Sequence, residues 1–154
     1  MKHRIRIAAI IVDNEKILLV KHVHPETGNE WWVPPGGGIE EKDSSIFECA
    51  KRETFEETNL KISSARIIYI REFFDKENQE LNIEIFVLAD SYIGKISLKN
   101  LKGKGPDELF IKKAEWLSKE DLKNINVFPE VLKDSFWDDY KNNFPNTKYL
   151  GRQV

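Results

Sequence analysis

Residues 34–58 constrain this chain more than any other stretch. Pro34-Pro35-Gly36-Gly37-Gly38 is barred from a helix interior, because proline lacks an amide proton and glycine gives up the most backbone entropy. The run predicts a shaped loop rather than a central strand, with backbone that a ligand can approach closely. It leads into a helical pattern over 44–58. Ser44 or Ser45 serves as N-cap, Asp43 sits near the positive helix end, and Asn59 stands where a left-handed C-cap residue is wanted. At about 100° per residue, Ile46, Ala50, Glu53 and Glu57 fall within a sector of about 60°, flanked by Arg52 and Glu56. Two carboxylates thus share the stripe of small and apolar residues, and a third stands beside them.

Three acids this close repel, and they cost helix stability unless something positive binds them. Arg52 alone cannot neutralise three carboxylates. Mg2+ or Mn2+ can, because hard divalent cations take carboxylate oxygens. The plainer reading is a solvated face paired with Lys51 and Arg52, which is what most helical charge runs are. Two features favour the metal: the acids lie on the apolar stripe, and the triple glycine precedes them closely.

The flanking sequence places this segment in a mixed α/β or α+β fold. Residues 4–12 and 16–21 are apolar and β-branched around Asp13-Asn14-Glu15-Lys16, which predicts a hairpin. A polar loop at 22–30 precedes the extended Trp31-Trp32-Val33. Strands are predicted at 64–72, 81–90 and 113–117, a mobile surface loop at 94–108, and a short helix at 119–124 capped by Ser118. Pro129 suits the first position of an amphipathic C-terminal helix carrying Val131, Leu132, Phe136 and Tyr140.

Composition narrows the functional classes. The 154 residues hold 24 Lys+Arg against 26 Asp+Glu, a net charge of −2, which disfavours bulk binding to nucleic acid or an acidic membrane. Forty per cent of the residues are hydrophobic, enough for one core, so residues 1–154 are expected to form a single domain. Cys49, the sole cysteine, has no partner for an internal disulfide, and no apolar run approaches ~18 residues. A cytoplasmic chain with no membrane partner is the expectation.

Gly37 to Leu60 resembles the Nudix box of the Nudix (MutT-like) hydrolase family, G-x5-E-x7-R-E-U-x-E-E-x-G-U, where U is aliphatic. Arg52-Glu53-Thr54-Phe55-Glu56-Glu57-Thr58-Asn59-Leu60 matches its second half in register. Asp43 stands for the first glutamate, with one extra residue before Arg52; counting from Gly38 restores the spacing but puts Ser44 in the acid's place. Thr54 replaces an aliphatic residue, and Asn59 replaces glycine. The resemblance implies an α/β/α sandwich with a mixed β-sheet. It implies Mg2+-dependent hydrolysis of a nucleoside diphosphate linked to another group, either a nucleoside triphosphate or a nucleotide sugar such as ADP-ribose.

In that family's pattern Glu53 and Glu57 are the leading metal ligands and Glu56 is a further ligand or the water-activating base. The Gly37 carbonyl completes the shell, Arg52 orients a glutamate, and Asp43 and Gly38 support the loop. The base of some members lies in a loop outside the box, and Glu108 is a weak candidate here. Many members are homodimers, although no feature of this sequence compels it. The rival is a non-catalytic nucleotide-binding or interaction module on the same fold, whose hallmark is loss of box acids; here Glu53, Glu56 and Glu57 all remain.

Less specific signals surround the box. Of the adjacent Trp31 and Trp32, at most one can face a pocket. Phe73, Phe74 and Tyr69 are core residues or stacking surfaces. His22 and His24, and Lys102 and Lys104, read as surface residues before they read as ligand contacts.

Overall fold

Alternation on the first strand organises the molecule. The computed structural model describes residues 1–153. β1 (Lys2–Ile10) is buried on both faces along its second half. Ile7 and Ala9, with Ile11, Leu18 and Val87, pack beneath the central helix against Cys49, Ala50, Leu60 and Ile62. The intervening Ala8 and Ile10 face the other way, joining Phe86, Ile68 and Tyr69 against Trp32, Leu132, Phe136 and Trp137. Opposite-facing neighbours of a strand thereby supply two cores, one per layer.

The remaining strands are β2 (Val12–Asp13), β3 (Lys16–Val23), β4 (Glu30–Val33), β5 (Gly36–Gly38), β6 (Lys61–Asp75), β7 (Glu80–Ile93), β8 (Ile111–Ser118) and β9 (Lys148–Gln153). A five-stranded mixed sheet runs in the order β5-β1-β7-β6-β9. β1 is parallel to β7 and antiparallel to β5; β6 is antiparallel to β7 and parallel to β9. In a second sheet β3 pairs with β2 and β4, and with β8. The fold is mixed α+β, as its sequence pattern predicts.

Helix α1 (Ile46–Thr58) begins at Ser45, whose side chain accepts from the Glu48 amide at 3.2 Å. It ends at Asn59 in the left-handed conformation, φ 68°, with the Asn59 amide donating to the Phe55 carbonyl. Its buried residues are Cys49, Ala50, Glu53, Thr54, Glu57 and Thr58. Two glutamates do lie on the inward stripe.

Several expectations need correction. The three glycines are not a loop: as β5 they form an edge strand, with Ile7 paired to Gly37 and Ala8 to Gly36. Added Cβ atoms explain the composition, since one on Gly36 would lie 2.3 Å from the Ile7 carbonyl oxygen. The predicted hairpin survives only as β2 with the start of β3, because β1 leaves for the other sheet. The 94–108 segment carries a 3-10 turn at Lys99–Leu101 and the start of α2 (Pro106–Phe110), with Leu101 buried against Val20 and Ile111. Residues 119–124 are turns, although Ser118 and Asp121 do exchange hydrogen bonds across the first of them. The C-terminal helix is split into a 3-10 turn, Glu130–Lys133, and α3 (Phe136–Lys141), because its aromatic residues turn into the core as a cluster rather than as one stripe. β9 has no strong apolar alternation and escapes sequence reading. Among the described residues no helix is long and apolar enough to cross a membrane.

Candidate active site

The edge strand β5 brings glycine backbone against α1. An added Cβ on Gly37 would meet the Glu53 carboxyl carbon at 2.5 Å, so the absence of a side chain makes room for that acid. One turn further along the helix, Glu57 accepts a hydrogen bond from the Gly36 amide at 3.2 Å. Glu53 is 6 % exposed and Glu57 1 %. The Oε2 atom of Glu53 is buried with no hydrogen-bond partner among the described residues.

A third acid arrives from outside the helix. Asp107, on α2, brings a carboxylate oxygen to the pair, so that one oxygen each of Glu53, Glu57 and Asp107 lie within 4.8 Å of one another. Sequence reading singled out its neighbour Glu108, which instead turns back on its own loop and accepts from the Gly103 amide at 3.0 Å. No periodicity in this short segment tells which of two adjacent acids turns inward. Glu56 stands beside the cluster, with Arg52 at 3.5 Å and Lys104 at 3.6 Å.

Arg52 ties the surroundings together. Its Nε and Nη2 donate to the two oxygens of Asp43 at 2.9 Å each, a bidentate fork. Its Nη1 donates to Glu53 at 2.9 Å and its Nη2 to the Gly38 carbonyl at 3.2 Å. Asp43 is therefore the acid that faces the arginine, and Ser44 is exposed. Asp43 also accepts from the Glu40 amide at 2.8 Å, which closes the turn before the helix. Cys49 lies beneath the Gly37 and Gly38 carbonyls, and burial pushes its thiol up to about 12.

The electrostatics follow from burial. Desolvation raises Glu57 well above the ordinary carboxylate value; Arg6 opposes the rise, and Glu53 and Asp107 add to it. Glu53 is raised by burial against the pull of Arg52, and Asp107 by burial against Arg6 and Arg4. Asp43 goes the other way, since the Arg52 fork holds it well below its usual range. Three close acids, two of them buried, and an orphaned carboxylate oxygen are the donor set that a hard divalent cation fits.

The acids open onto a cavity of about 670 Å3. Gly36, Gly37, Gly38, Glu53 and Asp107 line one end, together with Lys104. Arg4, Arg6 and Arg71 line the other walls alongside Asp75, Glu80 and Glu84, and Trp31, Phe73, Phe110 and Phe128 add aromatic surface. Trp31 faces this cavity while Trp32 packs in the core, as strand alternation requires. His22 is not a surface residue: it stacks on Trp31 at 5.4 Å, and burial lowers its pKa to about 4. His24 accepts from the Glu26 and Thr27 amides within its loop. Phe73 lines the cavity, whereas Tyr69 is core and bonds Asp139. The arginines escaped sequence reading, although polar residues two apart in an apolar strand (Arg4, Arg6; Asn82, Glu84) are a legible sign of a polar strip on one face.

Comparison with known proteins agrees with this architecture. A Nudix hydrolase of Bacillus subtilis (strain 168), YvcI, of uncharacterised function, is 27 % identical over 123 residues, covering 78 % of this chain and 69 % of that protein. The MutT NUDIX hydrolase from Burkholderia pseudomallei superposes with a TM-score of 0.66 at 24 % identity, covering 83 % of this chain and 92 % of that one. An ADP-ribose pyrophosphatase from Streptococcus suis 89-1591 superposes at 0.60 and 18 % identity, covering 97 % and 98 %. The NUDIX domain family model matches residues 2–136, and with the acids of α1 packed on their glycine strand, this chain belongs to the NUDIX family and is a Nudix-type hydrolase.

Proposed function

We propose that this chain, acting as one domain over residues 1–154, hydrolyses a phosphoric anhydride in a nucleoside diphosphate linked to a further group, with Mg2+ or Mn2+ as cofactor. Water attacks one phosphorus, the bridging P–O bond breaks, and a nucleoside monophosphate leaves with a phosphorylated remainder. From a nucleoside triphosphate the second product is pyrophosphate. The observation that carries this reading is the convergence of Glu53, Glu57 and Asp107, with Glu53 and Asp107 at the end of a cavity whose other walls mix arginines, acids and aromatic surface. A pyrophosphate brings negative charge to a site already holding three acids, and divalent metal reconciles the two. Bound there, the metal supplies charge neutralisation and a water of lowered pKa.

The chain's own groups take the following parts. Glu53 and Glu57 would hold the cation from one helix face, and the Gly37 carbonyl would complete the set. Asp107 supplies a third carboxylate from a separate element. Glu56, kept outside the trio between Arg52 and Lys104, is a further ligand or takes the proton of the attacking water. Arg52 positions Glu53 and is itself held by Asp43, and Gly38 receives its remaining donor. Arg4, together with Arg6 and Arg71 that Glu84 already pairs, contacts the phosphates, and the aromatic surfaces accept the base.

Hydrolysis of a nucleotide panel with Mg2+ tests the reading, together with Glu53→Gln. The substitution should lower kcat by about 10²-fold or more with the fold retained. Wild-type turnover in that variant, or no turnover of any diphosphate by the native chain, would sink it.

A further inference from the structure

The cavity floor can be laid out from strand register. Arg4 and Arg6 are two apart on β1 and share a face; they pair with Asn82 and Glu84 of β7. Across β6, Arg71 pairs with Glu84 and Phe73 with Asn82. The row Arg6–Glu84–Arg71 is satisfied within itself, with Glu84 accepting from Arg6 at 3.4 Å and from Arg71 at 2.7 Å.

The next row is not satisfied. Asn82 is only 6 % exposed and lines the cavity, yet its carboxamide has no hydrogen-bond partner among the described residues. Glu80, two residues earlier on the same strand face, also lines the cavity without an ion pair or side-chain hydrogen bond among those residues. Its cross-strand partner Asp75 cannot serve instead, since both Asp75 oxygens are engaged by Asn78. Phe73 offers an aromatic face beside Asn82, with the Arg71 guanidinium 5.4 Å from its ring centre. The Asn82 polar atoms are open to the cavity rather than sealed from solvent, so water meets them in the free protein and the edge of a ligand can take that water's place.

We infer that Asn82 and Glu80 read the base of the nucleotide and select bases bearing an exocyclic amino group over keto bases such as uracil. The inference rests on the nucleotide reading above and adds its specificity. A carboxamide presents a donor beside an acceptor and can meet the edge of any base. The carboxylate only accepts, so it rewards an amino group and repels a carbonyl oxygen at the same place. A site built around such a bond discriminates sharply against the analogue that lacks the donor.

CDP and UDP differ in that amino-for-keto exchange and in the adjacent ring nitrogen, which accepts in CDP and carries a proton in UDP; ADP and inosine diphosphate differ in the same way. Their affinities measured by calorimetry with Ca2+, so that hydrolysis does not intervene, should favour the amino member of each pair by about tenfold. Glu80→Gln should bring the ratios to within about twofold, and Asn82→Leu should weaken both members of each pair together, while thermal unfolding shows both variants folded. Equal affinities in the wild type, ratios that persist in Glu80→Gln, or no binding of any of the four would overturn the inference. Amino-selective binding without turnover would instead remove only the hydrolase reading, and turnover without base selection only this one.

Discussion

Gly36 and Gly37 are neighbours in one short strand, and adding a methyl group to each should fail in different ways. At Gly37 the new carbon would sit 2.5 Å from the Glu53 carboxyl carbon and Oε1, and 2.7 Å from Oε2. Non-bonded carbon atoms settle at about 3.5–4.0 Å, so the carboxyl must retreat by roughly 1 Å. Glu53 meets the methyl with the far end of a flexible side chain, and the fold can absorb that move. The site cannot: a displacement of about 1 Å costs on the order of 10²-fold in rate. At Gly36 the obstacle is backbone, with the Ile7 oxygen at 2.3 Å and the Ala8 Cα at 2.7 Å, and no rotamer relieves it. Overpacking of that kind costs about 1–3 kcal/mol or more, which for a chain of this size lowers Tm by about 2–4 °C per kcal/mol. Gly37→Ala should therefore lose about 10²-fold in kcat/KM and bind Mn2+ more weakly, with Tm nearly unchanged. Gly36→Ala should unfold several degrees earlier. Thermal scans, Mn2+ titration and steady-state rates separate the two. If Gly37→Ala keeps native activity and Mn2+ affinity, the seating of Glu53 against the glycine strand does not set the site.

Three further outcomes follow from the same geometry. Asp107→Asn should weaken Mn2+ binding by about tenfold or more, whereas Glu108→Gln, whose carboxylate only caps the Gly103 amide, should leave it unchanged; the reverse order in a metal titration would exchange their roles. Arg52→Lys keeps the charge but loses the fork to Asp43, so stability should fall by about 1–2 kcal/mol in urea unfolding and activity should fall with it. For pH, burial lifts Glu57 in the folded chain well above its ordinary 4.5, so the native state keeps a proton that the unfolded state releases. Metal-free stability should then fall as pH rises above about 4.5 toward the folded value, more steeply in the wild type than in Glu57→Gln. Added Mn2+ should restore more Tm at about pH 8 than at about pH 5; equal pH slopes in the two proteins would refute the assignment.

How much of this was legible in the residues depends on whether a signal was local. Ser45, the glutamate stripe and Asn59 all lie within one helix and its caps, and the 3.6-residue period displays them directly. The pairing of Asp43 with Arg52 was readable at the level of type, since an acid was wanted there, although the extra residue left its alignment open. The glycine strand was misread because composition describes what a backbone can do and not which neighbour it will pair with. Gly36–Gly38 became a strand because Ile7 and Ala8 offered an edge, and that edge is a tertiary fact. β9 and the division of the C-terminal helix escaped for the same reason, as both are decided by what packs on Tyr69, Phe136 and Phe144.

The site itself shows the same division, and shows why the chain's net charge said so little. The box supplies acids from one continuous helix, and those are visible in sequence. The rest of the cavity lining comes from elsewhere: Asp107 and Phe110 from α2, Arg4 and Arg6 from β1, Arg71 and Phe73 from β6, and Glu80 and Asn82 from β7. None of these is close to the box in the chain, and all are brought to it by strand register. Acids and bases near balance over 154 residues stay interleaved along the cavity, where Arg4, Arg6 and Arg71 lie among Asp75, Glu80 and Glu84, and the Glu53, Glu57 and Asp107 cluster concentrates acid at one end. On the proposed function, a cation held at that acidic end would offset the charge of the phosphates beside it, with Arg4 contributing from β1. A helix can carry the chemistry of the family in its own sequence, whereas the rest of the cavity is spread over β1, β6, β7 and α2, and only the folded chain assembles it.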